Sequence, residues 1–105
     1  PGPVARSYVF CSDTAFDESI AQWVEGVDWL YHEATFLESE AHLAEKARHS
    51  TAAQAARLAA MAGAKNLLMG HYSARYKDLE AFRQEGMKHF DRVHLAKDGM
   101  RIDVQ

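Results

Sequence analysis

Short unbroken apolar runs alternate along this chain with longer stretches in which apolar residues recur every three or four positions. The short runs are Tyr8-Val9-Phe10-Cys11, Val27-Asp28-Trp29-Leu30-Tyr31, Leu67-Leu68-Met69 and Val93-His94-Leu95-Ala96. Near-continuous apolarity over so few residues predicts strands buried on both faces, as in a parallel sheet. Between the first two runs, Phe16, Ile20, Trp23 and Val24 follow i, i+4, i+7, i+8 spacing. They predict a helix capped by Thr14, with Gly26 in the left-handed position beyond its end. Thr51-Ala52-Ala53-Gln54 spells a capping box, and the helix it opens runs to Gly63 with an interior alanine-rich enough to pack close to a sheet. A third helix, about Asp78 to Phe90, turns Leu79, Phe82, Met87 and Phe90 inward, and Gly86 weakens it by roughly 1 kcal/mol relative to alanine. The polar stretch from Glu38 to His49 reads as a loop or a frayed helix. Asp98-Gly99, ahead of the alternating Met100 to Val104, predicts a terminal hairpin. The order β-α-β-α-β-α-β-β is that of an α/β fold with right-handed crossovers.

Composition adds bounds rather than detail. With 105 residues, 48% apolar and 26% charged, the chain has the make-up of one small globular domain without an internal boundary. No apolar run approaches the roughly 18 residues of a membrane span. Pro1-Gly2-Pro3 lacks the charged and apolar stretches of a secretory leader, and the single cysteine, Cys11, permits neither an internal disulfide nor a multi-cysteine metal site. A reduced, cytoplasmic setting is the expectation. Twelve basic against fifteen acidic side chains give a net charge of −3, so the chain carries no electrostatic footprint for nucleic acid of its own.

Glycine-rich phosphate loops, nucleophile elbows and paired-cysteine motifs are absent, and Phe36 stands where a second histidine would complete H-E-x-x-H after His32-Glu33. The remaining signal is positional, because ligands of open parallel sheets bind beyond the carboxyl ends of the strands. Asp13 follows the first strand, His32-Glu33 the second and His71 the third. His49 lies just before the helix capped at Ser50 or Thr51, whose N-terminal N–H groups are of the kind that bind phosphate. This set fits metal-assisted phosphoryl chemistry. Each member also has a structural reading: Asp13 as a cap, His32 as a hydrogen-bonded strand end, Glu33 as an arginine's partner, His49 as a solvated loop residue, His71 as a loop exit. His42, His89 and His94 fit surface or packing roles, Cys11 a small buried hydrophobe, and Trp23 and Trp29 core positions.

Four strings tip that balance: Ser12-Asp13-Thr14, Leu30-Tyr31-His32-Glu33-Ala34-Thr35-Phe36, His49-Ser50-Thr51-Ala52-Ala53-Gln54-Ala55-Ala56 and Gly70-His71-Tyr72-Ser73-Ala74-Arg75-Tyr76. In order and spacing they resemble ribonuclease Z, the tRNA 3′-processing endonuclease family of the metallo-β-lactamase fold, over about Tyr8 to Gly99. The resemblance implies the C-terminal part of an αββα sandwich and a site for two zinc ions. By that resemblance Asp13 is the carboxylate bridging the two ions and His71 a terminal ligand of one. His49 is the proton donor to the leaving oxygen, and Glu33 the group that orients it. Thr51, Ser73 and Arg75 are weaker candidates for contacts to substrate phosphate or to the groups behind the metal ligands. The implied partner is precursor tRNA, and the complete enzyme is expected to be a homodimer.

The family's H-x-H-x-D-H motif has no counterpart here, since no H-x-H pair occurs anywhere in the sequence. The remaining zinc ligands and the arm that grips tRNA are therefore expected upstream, and the chain reads as a C-terminal fragment. Two consequences are expected: inactivity of this chain alone, and self-association through uncovered apolar faces. The alternatives are another phosphodiesterase of the same fold and a non-catalytic α/β interaction module.

Overall fold

The computed structural model describes residues 8–11 and 17–96. Four strands, β1 (Tyr8–Cys11), β2 (Trp29–Glu33), β3 (Asn66–Gly70) and β4 (Val93–Leu95), form one sheet in the order β1-β2-β3-β4. Every pairing is parallel, with Val9, Leu30, Leu67 and Val93 in register across the sheet. Strands laid down side by side in chain order bring all their connections to the same face when every crossover has the same hand, the right hand by general rule. That face receives α2 (Ala52–Ala62) and α3 (Glu80–Met87), while α1 (Ala41–Ala47) lies ahead of α2 in the second crossover.

The alanine-rich helix has the predicted ends. Thr51 Oγ1 accepts the Gln54 N–H at 3.1 Å and Gln54 Oε1 accepts the Thr51 N–H at 2.9 Å, closing the capping box. Gly63, at φ +65°, terminates the helix, its N–H reaching back to the Ala59 and Ala60 carbonyls. Ala52, Ala55, Ala56, Leu58 and Ala59 are buried against Leu30, Leu67 and Met69, and Phe82 of α3 fills the neighbouring space. Gly86 is buried where a Cβ would stand 2.5 Å from Met69 Cε, so a larger residue there would have to displace the movable end of that side chain.

Several expectations shift. The first crossover helix is a 3₁₀ helix, Glu18–Trp23, capped by Asp17, and Trp23 is 80% exposed rather than core. The Thr14 cap, Asp13 and the terminal hairpin lie outside the described residues. Strand β2 ends at Glu33, so His32 and Glu33 belong to the strand instead of following it. Glu38–Glu40 is a 3₁₀ turn leading into α1. Met87 is exposed at the end of α3, and Phe90 reaches the core from beyond the helix. Among the described residues no helix is long and apolar enough to cross a membrane.

Candidate functional site

Three segments meet at the carboxyl ends of β2 and β3. The Ala34 N–H donates to the Gly70 carbonyl, continuing the β2–β3 pairing one step past the strands. The Thr35 and Phe36 N–H groups turn to the Ser50 carbonyl, and Ala52 returns its N–H to Phe36. The Ser73 N–H closes the other side on the Thr35 carbonyl. Residues 34–36 are thus clamped between the approach to α2 and the exit of β3. This delivers Glu33, His49 and His71 to one place, with ligand-type atoms all within 4.8 Å of one another.

Glu33 is fully buried and is the hub. Its Oε1 accepts the Ser50 N–H at 2.6 Å, while Oε2 accepts the Thr35 N–H at 3.1 Å and the Thr35 hydroxyl at 2.6 Å. A buried carboxylate needs such donors to offset its lost hydration. His49 Nδ1 faces the same Oε1 at 3.5 Å, an ion-pair distance rather than a hydrogen bond, and that ring is about a quarter exposed. The His49 and His71 rings lie roughly parallel, with centroids 5.3 Å apart. His71 is exposed, with its Nδ1 3.0 Å from Thr35 Oγ1. Its backbone is left-handed at φ +64°, a conformation that costs a non-glycine residue about 1–2 kcal/mol. Such outliers persist where surrounding hydrogen bonds over-determine them, as those of Ala34 and Ser73 do here.

This arrangement separates three chemical jobs. A carboxylate already filled by three donors suits orienting a neighbour better than binding an ion directly. A partly exposed imidazole beside it suits proton transfer. An exposed imidazole steadied through Nδ1 suits a divalent ion of the zinc type. A cavity of about 780 Å³ opens beside His71, walled by Tyr31, Tyr72, Tyr76 and Leu79. The Tyr72 hydroxyl donates among the Met69 and Ala96 carbonyls, and burial pushes it well above the ordinary tyrosine value.

The start of α2 is built differently from the sequence expectation. The Ser50 N–H is held by Glu33, that of Thr51 by Gln54, that of Ala52 by Phe36, that of Ala53 by Glu85 at 3.0 Å and that of Gln54 by Thr51. No N–H over that stretch is left for a phosphate. Thr51 itself is fully buried, its hydroxyl donating to Glu38 at 2.8 Å. Arg75 pairs with Glu40 at 2.7 Å and lies over the Phe36 ring, and the Ser73 hydroxyl accepts the Arg75 N–H at 3.4 Å.

His32 points away from this cluster. It is fully buried on the face under the helices, donating Nδ1–H to the Glu33 carbonyl at 2.8 Å. Its Nε2 finds no hydrogen-bond partner among the described residues. Burial pushes its imidazole below the ordinary value, against the backbone bond and charge of Glu33, which pull upward. His42 and His89 are exposed, and His94 packs on Trp29 with Nε2 3.2 Å from Asn66 Oδ1. Cys11, expected to be buried, is only half-buried on strand β1, packed against the edge of the core. Residue types alone gave no role to Thr35, Glu85 and Glu40, whose functions depend on partners far away in sequence.

Residues 4–72 match the family described as the beta-lactamase superfamily domain. A ribonuclease Z of Porphyromonas gingivalis is 49% identical over 104 residues, which cover 99% of this chain and 34% of that protein. The chain therefore spans about a third of the length of the curated relatives it matches. Among solved structures, the metallo-beta-lactamase fold protein YhfI of Bacillus subtilis superposes with a TM-score of 0.82 at 26% identity, over 89% of this chain and 38% of that one. The short form of human tRNase Z superposes with a TM-score of 0.67 at 29% identity, over 90% of this chain and 31% of that one. The chain belongs to the beta-lactamase superfamily, and across its length it is similar to one third of the enzymes named ribonuclease Z.

Proposed function

We propose that this chain supplies the proton-donating side and part of the metal-holding side of an endoribonuclease that removes the 3′ trailer from tRNA precursors. The observation that carries the reading is the convergence of Glu33, His49 and His71 at the strand ends, in a chain with ribonuclease Z relatives. His71 and, outside the described residues, Asp13 would hold zinc, two ions per complete site, with the other ligands contributed upstream. Bound zinc supplies positive charge to the attacked phosphate and a water of lowered pKa.

The chain's own residues do the rest. Ser50 and Thr35 hold Glu33 through three hydrogen bonds, so Glu33 presents a fixed oxygen to His49. His49, protonated, donates to the departing 3′ oxygen, which leaves as a hydroxyl rather than an alkoxide, and the trailer keeps the phosphate. The setting is cytoplasmic, the partner is precursor tRNA, and the complete enzyme is a homodimer.

The test is His49→Ala in the full-length protein, with a trailer-bearing tRNA precursor as substrate. We expect a loss of 10²-fold or more in kcat with the melting temperature little changed, and no cleavage by the isolated 105-residue chain. A parent protein that ignores the precursor but hydrolyses cyclic nucleotides or small phosphodiesters would instead support the alternative enzyme of this fold. A variant that loses stability but keeps its rate would support a non-catalytic module.

A further inference from the structure

We propose that Thr35 is a positioning residue that fixes the tautomer of His71, placing its proton on Nδ1 so that the Nε2 lone pair is the one offered to a metal ion. The metal half of this inference rests on the reading given under Proposed function.

Proton counting carries the argument. Thr35 Oγ1 lies 2.6 Å from Glu33 Oε2 and 3.0 Å from His71 Nδ1. A hydroxyl has one proton, and a carboxylate can only accept. Glu33 accepts on both oxygens, from Ser50 and from the Thr35 backbone as well. The Thr35 proton therefore goes to Glu33, and Oγ1 has only acceptor capacity left for His71. The bond to His71 then requires Nδ1–H, and donation runs in one direction, from His71 through Thr35 to Glu33. An imidazole protonated on Nδ1 carries its lone pair on Nε2, which is the form a metal ion binds.

The residue is built for precision. Thr35 is buried, its N–H is shared between Glu33 and the Ser50 carbonyl, and its own carbonyl accepts from Ser73. Branching at Cβ restricts χ1. The other oxygen of the same carboxylate faces His49. Glu33 thereby sets both imidazoles, one across a direct gap and one through a single hydroxyl.

Two substitutions isolate the hydroxyl: Thr35→Val keeps the shape without the oxygen, and Thr35→Ser keeps the oxygen without the methyl. In metal-stripped full-length protein carrying ¹⁵N-histidine, long-range ¹H–¹⁵N spectra distinguish the two tautomers directly. We expect His71 as Nδ1–H in the parent and in Thr35→Ser, and a shift toward Nε2–H in Thr35→Val. Zinc affinity by chelator competition should fall about 10–100-fold in Thr35→Val and stay within a few-fold of the parent in Thr35→Ser. An Nε2–H tautomer in the parent, or an unchanged tautomer or zinc affinity in Thr35→Val, overturns the proposal. Should Thr35→Val not fold, Nε2–H in the parent or in Thr35→Ser still overturns it. The spectra need neither RNA nor metal. A protein that shows the expected tautomers yet does not cleave tRNA precursors would sink the reading of the substrate and leave the role of Thr35 standing.

Discussion

The two faces of the sheet are cut from the same four strands and yet carry different chemistry. One face presents Leu30, Leu67, Met69 and Val93 to α2 and α3, and is aliphatic and closed. The other presents Tyr8, Phe10, Trp29, Tyr31, Leu68 and His94. Phe10 stacks on Tyr31 with centroids 4.3 Å apart and is 63% exposed. The near-continuous apolar runs in the sequence ask for cover on both faces, and the described helices cover only one. An αββα sandwich of the kind the resemblance implies would pack its second sheet on the aromatic face. A face can thus be apolar for two reasons: because this chain's helices close it, or because something else does.

The sharpest way to break the comparison is to attack the closed face. Phe82→Ala removes a fully buried ring between α2, α3 and the sheet, and should cost about 3–5 kcal/mol in chemical denaturation. A loss below about 1 kcal/mol would mean that the helix-covered side is not the core. The next effect comes from His32, the polar residue buried on that same face. Unfolded chain takes up a proton near the ordinary histidine value of 6.5, whereas the folded chain resists it. Stability is therefore full above that pH and declines as the pH falls through it. His32→Leu should flatten the difference in unfolding free energy between pH 7.5 and pH 5.5, and an unaltered slope would assign the acid sensitivity elsewhere. The smallest effect belongs to the open face. Phe10→Ser should change monomer stability by no more than about 0.5 kcal/mol. By light scattering it should also reduce self-association of the isolated chain. Equal association in parent and variant would show that the aromatic face is not the sticky one.

Local signals are legible because they need no distant partner. The capping box at Thr51 and the left-handed Gly63 define α2 through bonds that span three or four residues. Spacing failed where its premise failed. Residues 18–23 wind as a 3₁₀ helix, in which a 3.6-residue period no longer marks a single face, and Trp23 falls outside the core. Helix α3 stops at Met87, so the period that placed Met87 inward ends there too. Strand β2 runs on past its apolar residues because the buried His32 and Glu33 are made tolerable by backbone groups that a local pattern does not contain. The site divides along the same line. Glu33, His49 and His71 were legible from strand ends and from the resemblance. The sealing of the α2 N-terminus was not, because Glu85 arrives from α3. The link through Thr35 depends on three segments meeting.

Parallel pairing has a consequence in time as well as in space. Each strand of this sheet must wait for a whole crossover before its next neighbour exists, and such non-local contacts form slowly. During synthesis, β1 and β2 emerge while Glu33 still lacks Ser50, and Thr35 still lacks His71. The polar centre therefore waits for β3 and the residue that follows it, long after β2 has left the ribosome. Until β3 docks, β2 keeps an apolar edge open beside a carboxylate whose partner hydroxyl still lacks His71, and an open strand edge of this kind invites misassembly.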